Sequence, residues 1–153
     1  MVYLERIFKS FVDSVYISNS SPKAELLRKS RDHGRERIKD YFRVKEWNMP
    51  QFCMQGSFEM NTIITPIDGE YDLDDGVYLT NLPAYPNNWP SPSTVHNWIK
   101  EAVTGITQDE PIDKDTCVRL IYKRNYHIDY PVYGIYGSNQ YLFHKKSFSS
   151  KPE

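Results

Sequence analysis

The stretch that most constrains this chain is residues 55–83, QGSFEMNTIITPIDGEYDLDDGVYLTNLP. Five acids (Asp68, Glu70, Asp72, Asp74 and Asp75) fall within eight residues, and EYDLDDGVYL alternates as a β-strand does. Ionised carboxylates repel one another and resist burial, so strands seldom carry them. A fold that accepts this segment must leave one strand face open, and water or a cation must answer the charge. Side chains at i and i+2 share a face, so Asp72 and Asp74 project together while Asp75 points to the other face as a structural or capping residue. Two carboxylates so placed are unfavourable unless a cation sits between them or one is protonated. All-oxygen ligation suits a hard divalent ion, and magnesium is the usual one with phosphates. For the pair taken alone, a solvated acidic turn is the alternative.

Two further features bear on that choice. Gly56 lets the backbone approach a ligand closely, and Ser57 can cap a short helical turn over FEMNT whose N–H groups face a phosphate. Asp129, in YHIDYPVYG, is a third acid in mid-strand, with Ile128 and Val132 on the opposite face, and it needs a partner. His127 shares its face, and a single His–Asp hydrogen bond is expected there rather than a metal-ligating histidine. A phosphate turn, an acid pair and a distant strand acid together describe a site for a nucleoside triphosphate. Asp68 and Glu70 are expected as solvated turn residues. An EF-hand starting at Asp72 fails at Gly76 and Pro83, and there is no Walker A, GxSxG or HExxH motif.

The rest of the chain reads as one α+β domain. With 153 residues, 39% of them hydrophobic and 14% aromatic, it can bury a real core, which excludes overall disorder. The periodicity of Leu4, Ile7, Phe8, Phe11, Val12 and Val15 predicts a helix over 3–17, and Ser21-Pro22 starts a second running to about 47. That helix holds nine Lys/Arg against five Asp/Glu, a solvated face or a polyanion-binding surface, the first being preferred. QFCM enters a strand, Ser91-Pro92 caps a helix over 92–103, and residues 104–115 read as a loop. TCVRLIYKRNYHIDYPVYGIY reads as a hairpin turning at 123–125, followed by a polar, weakly patterned tail. The net charge of −1 gives no global pull toward nucleic acid or membrane, no apolar run is long enough to span a bilayer, and Cys53 and Cys117 form no CxxC. A cytoplasmic protein is expected.

Gly-Ser, then Asp-Leu-Asp, then a later strand Asp resembles the nucleotidyltransferase fold of the DNA polymerase β superfamily. The longer stretches MQGSFEMNTIITPIDGEYDLDDGVYL and TCVRLIYKRNYHIDYPVYGI are similar to the bacterial cGAS/DncV-like nucleotidyltransferases (CD-NTases), signalling enzymes of antiphage defence. The likeness covers most of residues 20–137. It implies a polymerase β-like nucleotidyltransferase core, a mixed β-sheet packed against N-terminal helices. It also implies a template-independent synthase that joins ATP, GTP or related nucleotides into a cyclic di- or oligonucleotide messenger. Carried onto this sequence, it makes Asp72, Asp74 and Asp129 the catalytic, metal-binding carboxylates for Mg²⁺ or Mn²⁺, with Asp129 the acid nearest the attacking ribose hydroxyl. Gln55, Gly56 and Ser57 become the triphosphate contacts. The partners implied are NTP substrates and, at most, a regulatory protein, with no membrane and no required nucleic acid. Family members continue past the third carboxylate into a C-terminal helical lobe. Residues 1–153 are therefore expected to form a single core domain without that lobe, weak or inactive alone as a synthase. The competing readings are a nucleotide- or protein-binding remnant without turnover, and a nucleotidyltransferase acting on RNA or protein.

Overall fold

The computed structural model describes residues 2–18, 20–56, 69–123 and 126–145. The first helix, α1 (Val2–Val15), forms where the apolar spacing places it, but Leu4, Ile7, Phe8 and Phe11 on that stripe stay exposed. The second, α2 (Pro22–Val44), starts as expected: the Ser21 hydroxyl accepts from the Ala24 N–H, with Pro22 in the first turn. It stops at Val44 rather than near residue 47. Glu46 adopts φ +57°, and the Trp47 N–H closes back onto the Phe42 carbonyl at 3.0 Å, a left-handed cap that ends the helix.

Ala24, Leu27, Ser30, Gly34, Ile38 and Phe42 recur every three or four residues and form the buried stripe of α2. Gly34 lets the Tyr130 side chain of the sheet lie against the helix, since a Cβ there would collide with the Tyr130 hydroxyl. The basic residues of α2 are largely answered within the chain, which favours the solvated, ion-paired surface over a polyanion face. Lys29 pairs with Glu25, Arg31 with Asp32, Lys39 with Glu36 and Arg43 with Asp40, while Arg37 donates to the carbonyls of Ala102 and Thr104.

The sheet runs β1 (Gln51–Gln55), β2 (Tyr71–Leu79), β5 (Tyr126–Tyr136), β4 (Cys117–Tyr122), β3 (Ile112–Asp113), with β6 (Asn139–Leu142) also pairing β5. Only β2 and β5 are parallel; every other pair is antiparallel, so the sheet is mixed. A parallel pair needs a crossover, and α3 (Pro92–Val103), capped by Ser91, lies within it. Two strands depart from the sequence expectation. The loop over 104–115 contains the two-residue β3, and the tail contains β6, which turns back onto β5 after Gly137 at φ +61°. Both are too short to show a period.

One face of the sheet is apolar. Leu73, Val77, Leu79, Val118, Leu120, Ile128, Tyr130 and Val132 are buried in one cluster with Ile38 and Phe42 of α2 and Val95, Ile99 and Val103 of α3. Burying each such aliphatic side chain contributes about 1.5–3 kcal/mol. By alternation the intervening residues of β2 and β5 face away from the helices, and there Asp72 and Asp74 are exposed and half-buried. Among the described residues, no helix is long and apolar enough to cross a membrane.

Candidate active site

Strand register alone brings the polar residues together. Gln55 on β1 pairs with Asp74 on β2, Asp74 with Asp129 on β5, and Asp129 with Arg119 on β4, making one row across four strands. One step along the same face, Asp72 pairs with His127. The two central strands carry all three predicted carboxylates because β2 and β5 run parallel and in register there.

Asp74 is the centre of this group. Its pKa is raised, first by desolvation and then by the negative charges of Asp129 and Asp72, with His127 and Arg119 partly offsetting them. A carboxylate destabilised by two others is the electrostatic signature of a place that favours a cation. Gly56, with φ +71°, lies directly against it: a Cβ at residue 56 would stand 2.9 Å from Asp74 Oδ2. Any L side chain there would meet both a strained backbone and that contact, which glycine avoids. Ser57 and the FEMNT turn, with Asp68, lie outside the described residues.

Each flanking acid already has a partner. Asp129 is buried and accepts two hydrogen bonds from Arg119, Nε to Oδ1 and an Nη to Oδ2, both 2.7 Å. The buried Cys117 thiol also lies beside it, and burial together with that carboxylate pushes the thiol pKa up to about 11, so it is a neutral S–H. Asp72 is exposed and pairs with His127 Nε2. This corrects the expected His127–Asp129 hydrogen bond: register sets His127 beside Asp72, and Asp129 is taken by Arg119. Among the described residues, no three His, Cys, Asp or Glu side chains are arranged to hold a metal ion as they stand. The donor chemistry nevertheless fits a hard divalent cation, with carboxylates only, one of them repelled by the other two. Asp72 and Asp129 would each have to give up part of an existing contact.

Gln55 has a supporting position. Its side-chain nitrogen donates to the Tyr78 hydroxyl at 2.9 Å, and its oxygen accepts from the Tyr133 hydroxyl at 3.2 Å. The two tyrosine rings stack with centroids 4.9 Å apart. Gly76 leaves the room, since a Cβ there would meet the Gln55 amide nitrogen at 2.8 Å. Gln55, the residue before Gly56, is thereby held in place. Asp75, the structural acid of the cluster, is fully buried on the helix side, where Arg35 of α2 holds both its oxygens at 2.7 and 2.5 Å.

Sequence reasoning missed Arg119, Tyr78 and Tyr133. Arg119 carried a usable signal: a charged residue mid-strand needs a partner, and a hairpin centred on residue 124 pairs 119 with 129.

The sequence profile of the family described as "Cyclic GMP-AMP synthase DncV-like, nucleotidyltransferase domain" matches residues 50–133. That span runs from the start of β1 into β5, through Tyr133. Among solved structures, the fold is similar to DncV of Vibrio cholerae. The 3'-deoxy ATP bound form superposes with a TM-score of 0.67 at 19% identity, covering 86% of this chain and 51% of that one. The complex with GTP and 5MTHFGLU2 gives 0.66 at 19% identity, with 82% and 48% covered. The complex with the linear intermediate 5' pppA(3',5')pG gives 0.65 at 19%, with 86% and 51% covered. The chain thus spans about half the length of these solved relatives.

Proposed function

Because the chain belongs to the DncV-like nucleotidyltransferase domain family, we propose that it is the nucleotidyl-transferring core of an enzyme that condenses ATP, GTP or both into a cyclic di- or oligonucleotide messenger. The setting proposed is cytoplasmic antiphage signalling, in keeping with the family resemblance and with two free cysteines. The observation that carries the reading is the row centred on Asp74, a carboxylate crowded by Asp72 and Asp129 with a left-handed glycine against it.

Asp72, Asp74 and Asp129 would hold a divalent cation, magnesium or in its place manganese. When bound, that ion supplies charge neutralisation on the triphosphate and a lowered pKa for the attacking ribose hydroxyl. The chain itself contributes position. Gly56 keeps the backbone close to the carboxylates, and Gln55, fixed by Tyr78 and Tyr133, holds the strand end next to Gly56. Asp129 places an acceptor oxygen on the neighbouring strand, where the proton of an attacking hydroxyl could be taken. The DncV structures, solved with GTP and with a linear pppA-pG intermediate, support nucleoside triphosphates as substrates here.

The test uses radiolabelled ATP and GTP with Mg²⁺. Mg²⁺-dependent nucleotide binding is expected, and the Asp72→Ala/Asp74→Ala double variant should lose it. Cyclic product would extend the reading to turnover, whereas label on RNA or protein would move it to a macromolecular acceptor. Nucleotide binding indifferent to both Mg²⁺ and the double substitution would overturn it.

A further inference from the structure

Among the described residues, Arg119 is the one arginine or lysine hydrogen-bonded to the site's carboxylates, and its placement has a consequence for how the site loads. It lies on β4 in direct register with Asp129, and its guanidinium grips that carboxylate side-on through both oxygens at 2.7 Å. Both partners are largely shielded, with side-chain exposures of 23% for Arg119 and 12% for Asp129, so water screens the pair little. The grip is also the local answer to a charge problem. Asp74, Asp72 and Asp129 repel one another, and Arg119 is the fixed positive charge placed among them.

We propose that Arg119 is a latch on the third carboxylate: a divalent cation and the Arg119 guanidinium compete for Asp129, so the arginine sets the metal affinity of the site. The inference rests on the reading of Asp72, Asp74 and Asp129 as metal ligands and deepens it. A carboxylate with both oxygens engaged in charge-assisted hydrogen bonds cannot take a hard cation without releasing at least one of them. The positive charge of Arg119 adds repulsion to the incoming ion. Both effects weaken metal binding, so removing the guanidinium strengthens it. The loading of a phosphate-bearing ligand, which draws the guanidinium away, would likewise favour the metal. The latch thus couples cation entry to substrate entry.

The experiment titrates Mn²⁺ into the full chain and follows the loss of the free aqueous Mn²⁺ signal by electron paramagnetic resonance. Arg119→Met should bind Mn²⁺ about ten- to a hundredfold more tightly than the parent, the worth of one charge-assisted hydrogen bond. The same variant should unfold at lower temperature in EDTA, because Asp129 is left buried and unpaired. A merely structural arginine would lower both quantities, so the opposite signs are diagnostic. Arg119→Lys keeps the charge and loses the fork; it should fall between the two, and it carries the test should Arg119→Met fail to fold. Unchanged or weaker Mn²⁺ binding in a folded Arg119 variant, with Asp74→Asn abolishing binding, overturns the latch and leaves the metal site standing. Absence of Mn²⁺ binding in the parent and every variant overturns both.

Discussion

Asp75 sits one residue from Asp74, yet the two should respond to substitution in opposite ways. Asp75 is 0% exposed and accepts from Arg35 Nε at 2.7 Å and from an Arg35 Nη at 2.5 Å. Replacing Arg35 with Met leaves a buried carboxylate without its countercharge. Breaking such a pair costs about 3–5 kcal/mol, and because Arg35 itself is 21% exposed and partly hydrated, the lower end applies, about 3 kcal/mol. For a chain of this size that is a drop in Tm of about 6–12 °C. Urea unfolding followed by tryptophan fluorescence would read it, since Trp47 and Trp98 pack 4.6 Å apart against Phe42 and report on the α2–α3 contact. Replacing both partners, Arg35→Met with Asp75→Leu, removes the stranded charge and should recover part of the loss. Mn²⁺ affinity should be unmoved in every folded variant, because Asp75 faces the helices. A loss below about 1 kcal/mol for Arg35→Met, or a double variant no more stable than the single, would refute the reasoning.

Asp74→Asn should do the reverse. The folded-state pKa of Asp74 is raised, so its ionised form opposes folding, and stability increases as pH falls through that pKa. At neutral pH the amide should therefore stabilise the fold while abolishing Mn²⁺ binding; the stability gain should vanish in acid, where the native carboxyl is already neutral. Gly56→Ala should cost about 1–2 kcal/mol from its left-handed backbone alone and also weaken Mn²⁺ binding, because the new Cβ presses on Asp74 Oδ2 at 2.9 Å. A Gly56→Ala chain with unaltered melting and metal titrations would contradict the contact.

Much of this was legible in the sequence, for identifiable reasons. The capped helices at Ser21 and Ser91 declare themselves through local chemistry, and α3 spans the predicted residues. The opposed faces of Asp74 and Asp75 follow from the period of a strand. What lay beyond reach was pairing between distant segments. Nothing near Asp75 names Arg35, forty positions away on a helix, and nothing near Gln55 names Tyr78 and Tyr133. The parallel register of β2 and β5, which sets Asp74 beside Asp129 and His127 beside Asp72, is likewise a property of the crossover and not of either strand. Arg119 is the exception, because the hairpin makes its partner computable from the turn.

That hairpin also bears on the order in which the charges meet. Arg119 and Asp129 are ten positions apart, whereas Asp74 and Asp129 are 55 apart and joined through a helix and two other strands. Closing the longer loop costs about 1.5 kcal/mol more in chain entropy. The arginine therefore reaches Asp129 through a short-range contact, before the crossover needs to deliver the second carboxylate to its side. A collapsing chain is spared the step in which bare negative charges are forced together, and the fold can carry an acidic strand pair at its centre because the neutralising arginine sits on the adjacent antiparallel strand.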